Sequence, residues 1–161
     1  MGENESTPII ATSKSQTGRA PWDYFSWGHI DMGIGSFLLL SLINIIPTYI
    51  FQIPIYLIPY WLMIVIVIGF GIGWEILENT LLVSTGLKFE NRRDSLKNAL
   101  WDILFVTIGG LYTWIIKGIL INLYGLNTAI LNDMILAYFI VILISFCVCL
   151  VGFLIGRAMT K

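Results

Sequence analysis

The run Tyr60–Leu82, "YWLMIVIVIGFGIGWEILENTLL", decides what kind of chain this is. Up to Gly73 it carries no charged side chain, and a helix this apolar reads as a membrane span. It then closes on two carboxylates, Glu75 and Glu78, and an amide, Asn79. The apolar part sets the fold class, and the polar end raises the question of function.

The whole chain agrees with the first reading. Its 161 residues are 57% hydrophobic and 12% charged, with a mean hydropathy of +0.85. A soluble domain of this size cannot hide that much apolar surface. The net charge of −1 points away from a nucleic-acid partner. Cys147 and Cys149 lie inside an apolar run, two residues apart on a helix, so they face different sides. They read as small buried hydrophobes, not as a disulfide or metal pair.

A transmembrane helix needs roughly 20 mostly apolar residues. Four stretches qualify, at about 30–51, 56–82, 96–119 and 133–156. The expected fold is therefore all-α, a polytopic membrane bundle of four transmembrane helices. Pro47, Pro54 and Pro59 punctuate the first connection, "STGLKFENRRDS" (Ser84–Ser95) is a charged second one, and Ile121–Asn132 forms the third. Residues 1–22 are polar and lack the basic start and apolar core of a signal peptide. They are expected to form a disordered tail that buries little. Residues 23–161 are expected to form a single four-helix domain.

Basic residues resist translocation and so orient the chain. With four spans, the tail, the middle loop and the C-terminus share one side. That side holds Lys14, Arg19, Lys88, Arg92, Arg93, Lys97, Arg157 and Lys161, while the other holds only Lys117. Both termini are expected in the cytoplasm of a multi-pass cell-membrane protein.

This orientation brings three polar clusters to one depth in the inner leaflet. They are His29 with Asp31, then Glu75, Glu78 and Asn79, then Asp94, Asn98 and Asp102. At about 100° per residue, Glu75, Glu78 and Asn79 share a face. Asp94, Asn98 and Asp102, spaced by four, make a stripe that Gly109 and Thr113 continue. An intramembrane carboxylate facing lipid costs roughly 2.5–3.5 kcal/mol on insertion scales, so the stripes are expected to face one another. Gly69, Gly71 and Gly73, and likewise Gly152 and Gly156, are expected to admit neighbouring helices. Taken one by one, Asp31, Glu78 and Asp94 could simply snorkel to water, and His29 beside Trp27 could be an interfacial residue. Glu75 and Asp102, the deepest, fit that reading least, and their carboxyl groups are expected to face each other across one cavity.

An imidazole, several carboxylates and two amides suit a hard or borderline cation. They also suit a proton relay. Glu75, Asp102 and His29 are the candidate catalytic or proton-carrying groups. Glu75, Glu78, Asp94 and Asp102 are the candidate ligands of a divalent cation, the one cofactor in view. Asn79 and Asn98 would orient the site, and Arg92 and Arg93 would hold a ligand or lipid headgroup. No P-loop, zinc-protease helix or serine elbow is present.

The segments "FSWGHIDMG", "GWEILENTLL" and "RRDSLKNALWDILFVTIGG" resemble a small uncharacterised family of bacterial integral membrane proteins, a domain of unknown function. More distantly they look like the VanZ-like membrane proteins. The resemblance spans about residues 22–110. His29 matches the family histidine, with one extra residue before it. Trp74, Glu75, Glu78 and Asn79 match the second element, and Asp94, Ser95, Asn98, Asp102 and Gly109 the third. Arg93 stands where the family has glycine, and Met32 where a second histidine is expected, which tells against a two-histidine metal site. The resemblance implies a bundle of four to five membrane helices with a shared polar site, and no reaction.

Three functional expectations follow. The first is a site that binds or processes a lipid headgroup or amphiphile with a divalent cation. The second is a non-enzymatic accessory subunit, in which the cluster only locks helices together, with a membrane-protein partner or a homo-oligomer. The third is a proton or ion pathway, against which the outer half offers few relay groups beyond Thr48, Gln52, Thr113 and Lys117.

Overall fold

The computed structural model describes residues 8–124 and 128–160. Among them are four helices long and apolar enough to cross a membrane: α1 (Phe25–Phe51), α2 (Tyr60–Leu77), α3 (Leu96–Lys117) and α4 (Leu131–Met159). This is the all-α architecture of a multi-pass membrane protein. α2 runs on through a π-helical turn, Glu78–Leu82, and α3 through another, Gly118–Leu123. The expected spans hold to within a few residues. α1 starts earlier than hydropathy alone indicates, because Asp23 caps it. The Asp23 carboxylate accepts the Phe25 N–H at 2.8 Å, and the Ser26 hydroxyl accepts the Asp23 N–H at 3.1 Å. α2 starts later than Tyr56, at Tyr60 just after Pro59, which suits the start of a helix.

Lipid tails are as apolar as leucine, so burial alone does not bring such helices together; close packing and polar contacts do. α1 is the central helix, and its largest contact is with α3. Gly33 and Gly109 make that contact possible. A methyl group on Gly33 would lie 1.9 Å from the Val106 carbonyl oxygen, and one on Gly109 would lie 2.2 Å from the Ile30 carbonyl oxygen. The two backbones therefore touch. Phe37, Met63, Val67 and Val106 fill the space between α1, α2 and α3. Ile34, Ile135, Tyr138 and Ile142 pack between α1 and α4.

Two glycine expectations come out differently. Gly152 and Gly156 do admit a neighbour, since the Trp27 ring and Tyr24 sit against them. Of the α2 glycines only Gly71 faces a helix, through Val106, while Gly69 and Gly73 have nothing within 4 Å. Residues two apart on a helix lie about 200° apart around its axis, so the contact takes Gly71 and leaves Gly69 and Gly73 on the outside.

The first connection is clamped by α1. Asn44 accepts the Ile58 N–H at 3.0 Å and donates to the Ile58 carbonyl at 2.8 Å. Thr48 accepts the Ile55 N–H at 2.9 Å. At this same end the buried Lys117 ammonium donates to the Tyr60 hydroxyl and lies 4.3 Å from the Tyr60 ring centroid.

The expected disordered tail needs correction. Residues 1–7 lie outside the described residues, but 8–22 form a strap folded over the end of the bundle. A backbone clasp joins Ile9 and Ala11 to Trp22. The Trp22 ring packs edge-on against Trp27 and Phe105, with centroids 5.4 and 4.8 Å away. Ala11, Thr17 and Ala20 are buried. A polar composition did not keep this segment loose, because its backbone groups and one tryptophan find partners on α1 and α3.

Gly33→Ala and Gly109→Ala should each cost roughly 1–3 kcal/mol, the ordinary cost of overpacking, because backbone stands where the methyl would go. Gly69→Ala should be neutral. Melting temperatures of the detergent-solubilised variants check both; equal losses at all three positions would mean α1 and α3 are not in backbone contact.

Candidate functional site

The polar site lies at the end of the bundle that carries the strap. Each helix brings its part for a local reason. His29 is one turn before Gly33 on α1, so the α1–α3 contact aims it at α3. Asp102 lies two turns before Gly109 on the facing stripe of α3. Glu75 sits one turn beyond Gly71, where α2 meets α3.

These three side chains converge. His29 Nε2 is 3.6 Å from Asp102 Oδ2 and 3.8 Å from Glu75 Oε1. One ligand atom from each lies within 4.8 Å of the others. All three residues are buried, with 7%, 6% and 3% exposure for His29, Glu75 and Asp102. The imidazole–carboxylate separations are too long for hydrogen bonds. They are close to the roughly 3.4 Å between two ligands that each stand about 2.1 Å from a tetrahedral ion. Glu75 Oε1 and Asp102 Oδ1 have no hydrogen-bond partner among the described residues. Buried polar atoms are almost always satisfied, so two orphans in one cluster set this place apart from the rest of the bundle.

Glu78 and Asp94 are held differently. Glu75, Glu78 and Asp94 also approach within 4.8 Å of one another. The Lys88 ammonium, however, stands against both Glu78 and Asp94, at 3.6 Å from Glu78 Oε1 and in direct contact with Asp94 Oδ2. Lys88 also donates to Asn79 Oδ1 at 3.0 Å. The four carboxylates expected as one ligand set thus divide. Lys88 neutralises two of them, and Glu75 and Asp102 remain with His29. The reason is the charged loop, which turns Lys88 inward and buries it.

Asn79 joins the two halves. It sits in the π turn after α2 and donates both to the Glu75 carbonyl and to Glu75 Oε2, at 3.0 and 3.2 Å. Its oxygen accepts the Asp94 N–H at 2.7 Å. Asn98 donates to the Ala20 carbonyl at 2.9 Å, and its own N–H goes to Ser95, which caps α3. Asn98 therefore fastens the strap.

The strap closes the site from outside. Gly18 adopts a positive φ of 73°, and a methyl group there would lie 2.3 Å from Asp94 Oδ1. The Gly18 N–H binds Asp23, and the Gly18 carbonyl accepts the Ser95 N–H. Burial pushes the Asp23 carboxyl above the usual carboxylate range, the Gly18 and Phe25 N–H groups draw it back, and nearby Asp94 raises it again. Beneath the strap lies a cavity of about 20 Å³, room for one water-sized guest. His29, Asp102, Asn98 and Lys88 are among its walls.

The two arginines part company. Arg92 donates to the Thr17 carbonyl at 2.6 Å and pairs with Glu90 at 3.4 Å, so it too serves the strap. Arg93 is exposed beside a groove between α2 and α3. Asp31 stands apart from the cluster, with one buried oxygen unpartnered. Sequence reasoning missed Lys88, Thr17, Gly18 and Asp23 as parts of the site. Only the Asp23–Ser26 spacing, which suits a helix cap, signals any of them in advance.

The comparisons with family models, curated proteins and solved structures return no match for this chain. The class rests on the fold and on the arrangement above.

Lys88→Met should destabilise the protein by about 1–3 kcal/mol, since it leaves the half-buried Glu78 and Asp94 without their cation. Adding Glu78→Gln and Asp94→Asn to Lys88→Met should recover most of that loss. Melting temperature is the readout, and a neutral Lys88→Met would mean the two acids are solvated.

Proposed function

We propose that this chain is a cell-membrane protein that holds a divalent cation on His29, Glu75 and Asp102 and uses it to bind the headgroup of a lipid or other amphiphile. The observation that carries the reading is the convergence of three buried ligand atoms from three helices, two of the residues having unpartnered oxygens. Two carboxylates this close repel unless a proton or a cation lies between them. One imidazole and two carboxylates suit zinc, manganese or iron better than calcium, which prefers oxygen alone. A bound cation supplies a Lewis acid for headgroup oxygens.

The chain's own residues do the rest. Asn79 orients Glu75, Asn98 and Asp23 hold the strap, and Lys88 keeps Glu78 and Asp94 from competing for the cation. On this reading the residues that carry the resemblance to the uncharacterised bacterial family are the ligands and their supports. The bias of basic residues supports placing the site in the cytoplasmic leaflet, with both termini in the cytoplasm. Asn44 and Thr48 spend their hydrogen bonds on a loop, which favours a binding site over a proton or ion pathway.

Protein purified without chelators should carry close to one equivalent of a transition metal by elemental analysis. Glu75→Gln and Asp102→Asn should lose it while keeping the wild-type fold. Occupancy should fall as the pH is lowered, since the ligands must shed protons to bind. If the cluster were only structural, the amides would substitute without loss, Glu75→Leu would unfold the chain, and no metal would copurify.

A further inference from the structure

The groove between α2 and α3 has a volume of about 450 Å³, within the range of small-ligand sites. Its length is apolar, with Ile76, Leu100 and Ile103 along it, and Ile76 and Leu100 are exposed. Its polar part contains Thr80, Asp94, which Lys88 pairs, and Glu75 and Asn79, which also belong to the three-helix cluster. Arg93 borders it and, unlike Arg92, has no ion-pair or hydrogen-bond partner among the described residues. An apolar channel that ends on an unpaired guanidinium matches the acyl chain and phosphate of one molecule.

We propose that this groove is a lateral door for an anionic phospholipid, whose acyl chain lies along Ile76, Leu100 and Ile103 while Arg93 holds its phosphate near Glu75. The inference rests on the cation reading in one respect. Glu75 and Asp102 alone present negative charge to a phosphate, and a divalent cation on the cluster cancels it. Lipid and cation therefore favour each other's binding, and to the same degree. A partner helix is the poorer occupant, because it has no use for a free guanidinium at the polar end of the groove.

The test uses the full chain in nanodiscs of equal phosphatidylglycerol and phosphatidylcholine. Lipid retained after mild extraction is identified by native mass spectrometry, and metal is measured on the same samples. Wild type should retain phosphatidylglycerol preferentially. Arg93→Gln should reduce that preference about fivefold, equivalent to the roughly 1 kcal/mol that one basic side chain contributes at an anionic membrane surface. Ile76→Trp, which fills the groove from a lipid-facing position, should reduce retained lipid of both kinds. Both variants should still fill to about one equivalent in excess metal, with an affinity lowered by no more than the coupling to lipid. Equal retention of the two lipids by wild type, or a preference that survives Arg93→Gln, overturns the door even where metal is present. A second protein chain in the groove in place of lipid overturns it as well. Wild type without metal sinks the cation reading instead, while a lipid preference that depends on Arg93 still upholds the door.

Discussion

Everything at the polar end depends on the contact between Gly33 and Gly109. At that point the α1 and α3 backbones touch, each glycine leaving room only for the other helix's carbonyl. A helix is stiff over a few turns, so one backbone contact fixes the relative height and rotation of the residues just before it. His29 and Asp102 are those residues. Their 3.6 Å separation follows from the contact, and Gly71 against Val106 then brings Glu75 to the same place. In a bilayer, where apolar burial does little to bring helices together, such close approach is the available means of building a precise site.

The site's charges are arranged with economy. Five of the acids near one end of the bundle crowd around the site: Asp23, Glu75, Glu78, Asp94 and Asp102. Lys88 takes two of them, and backbone N–H groups take Asp23. The remaining pair shares one histidine and keeps two oxygens free. A cluster built only for cohesion has no reason to leave its deepest acids as the unsatisfied ones, since partly satisfied buried networks are less stable than apolar packing. On the proposed reading the arrangement suits a small cationic guest, with the neutralised acids kept out of competition.

The strap makes the site an enclosed one. Arg92, Asn98 and Ser95 all bond to its backbone carbonyls, between Thr17 and Ala20. Gly18, in a left-handed turn pressed against Asp94, lets the chain pass over the acids without a side chain in the way. The result is a cover on the water side and an open groove on the lipid side. On the proposed reading that asymmetry suits a guest that arrives through the bilayer.

By itself the sequence determined the four spans and the turning of polar stripes toward one another; it did not show that Asp102 lines the cavity under the strap while Glu75 lines the groove between α2 and α3. Hydropathy and helical periodicity are local properties, and lipid leaves a carboxylate few places to go. It did not determine which glycines make contact, because Gly33, Gly69 and Gly109 look alike until a neighbour's backbone is placed against them. Nor did it show that Lys88 turns inward or that residues 8–22 form a strap. Both depend on partners far along the chain: Lys88 on the acids of α2 and the loop before α3, the strap on Asn98, Arg92 and Phe105. A polar segment is loose or folded according to whether such partners stand within reach of its backbone, and only the packed bundle decides that.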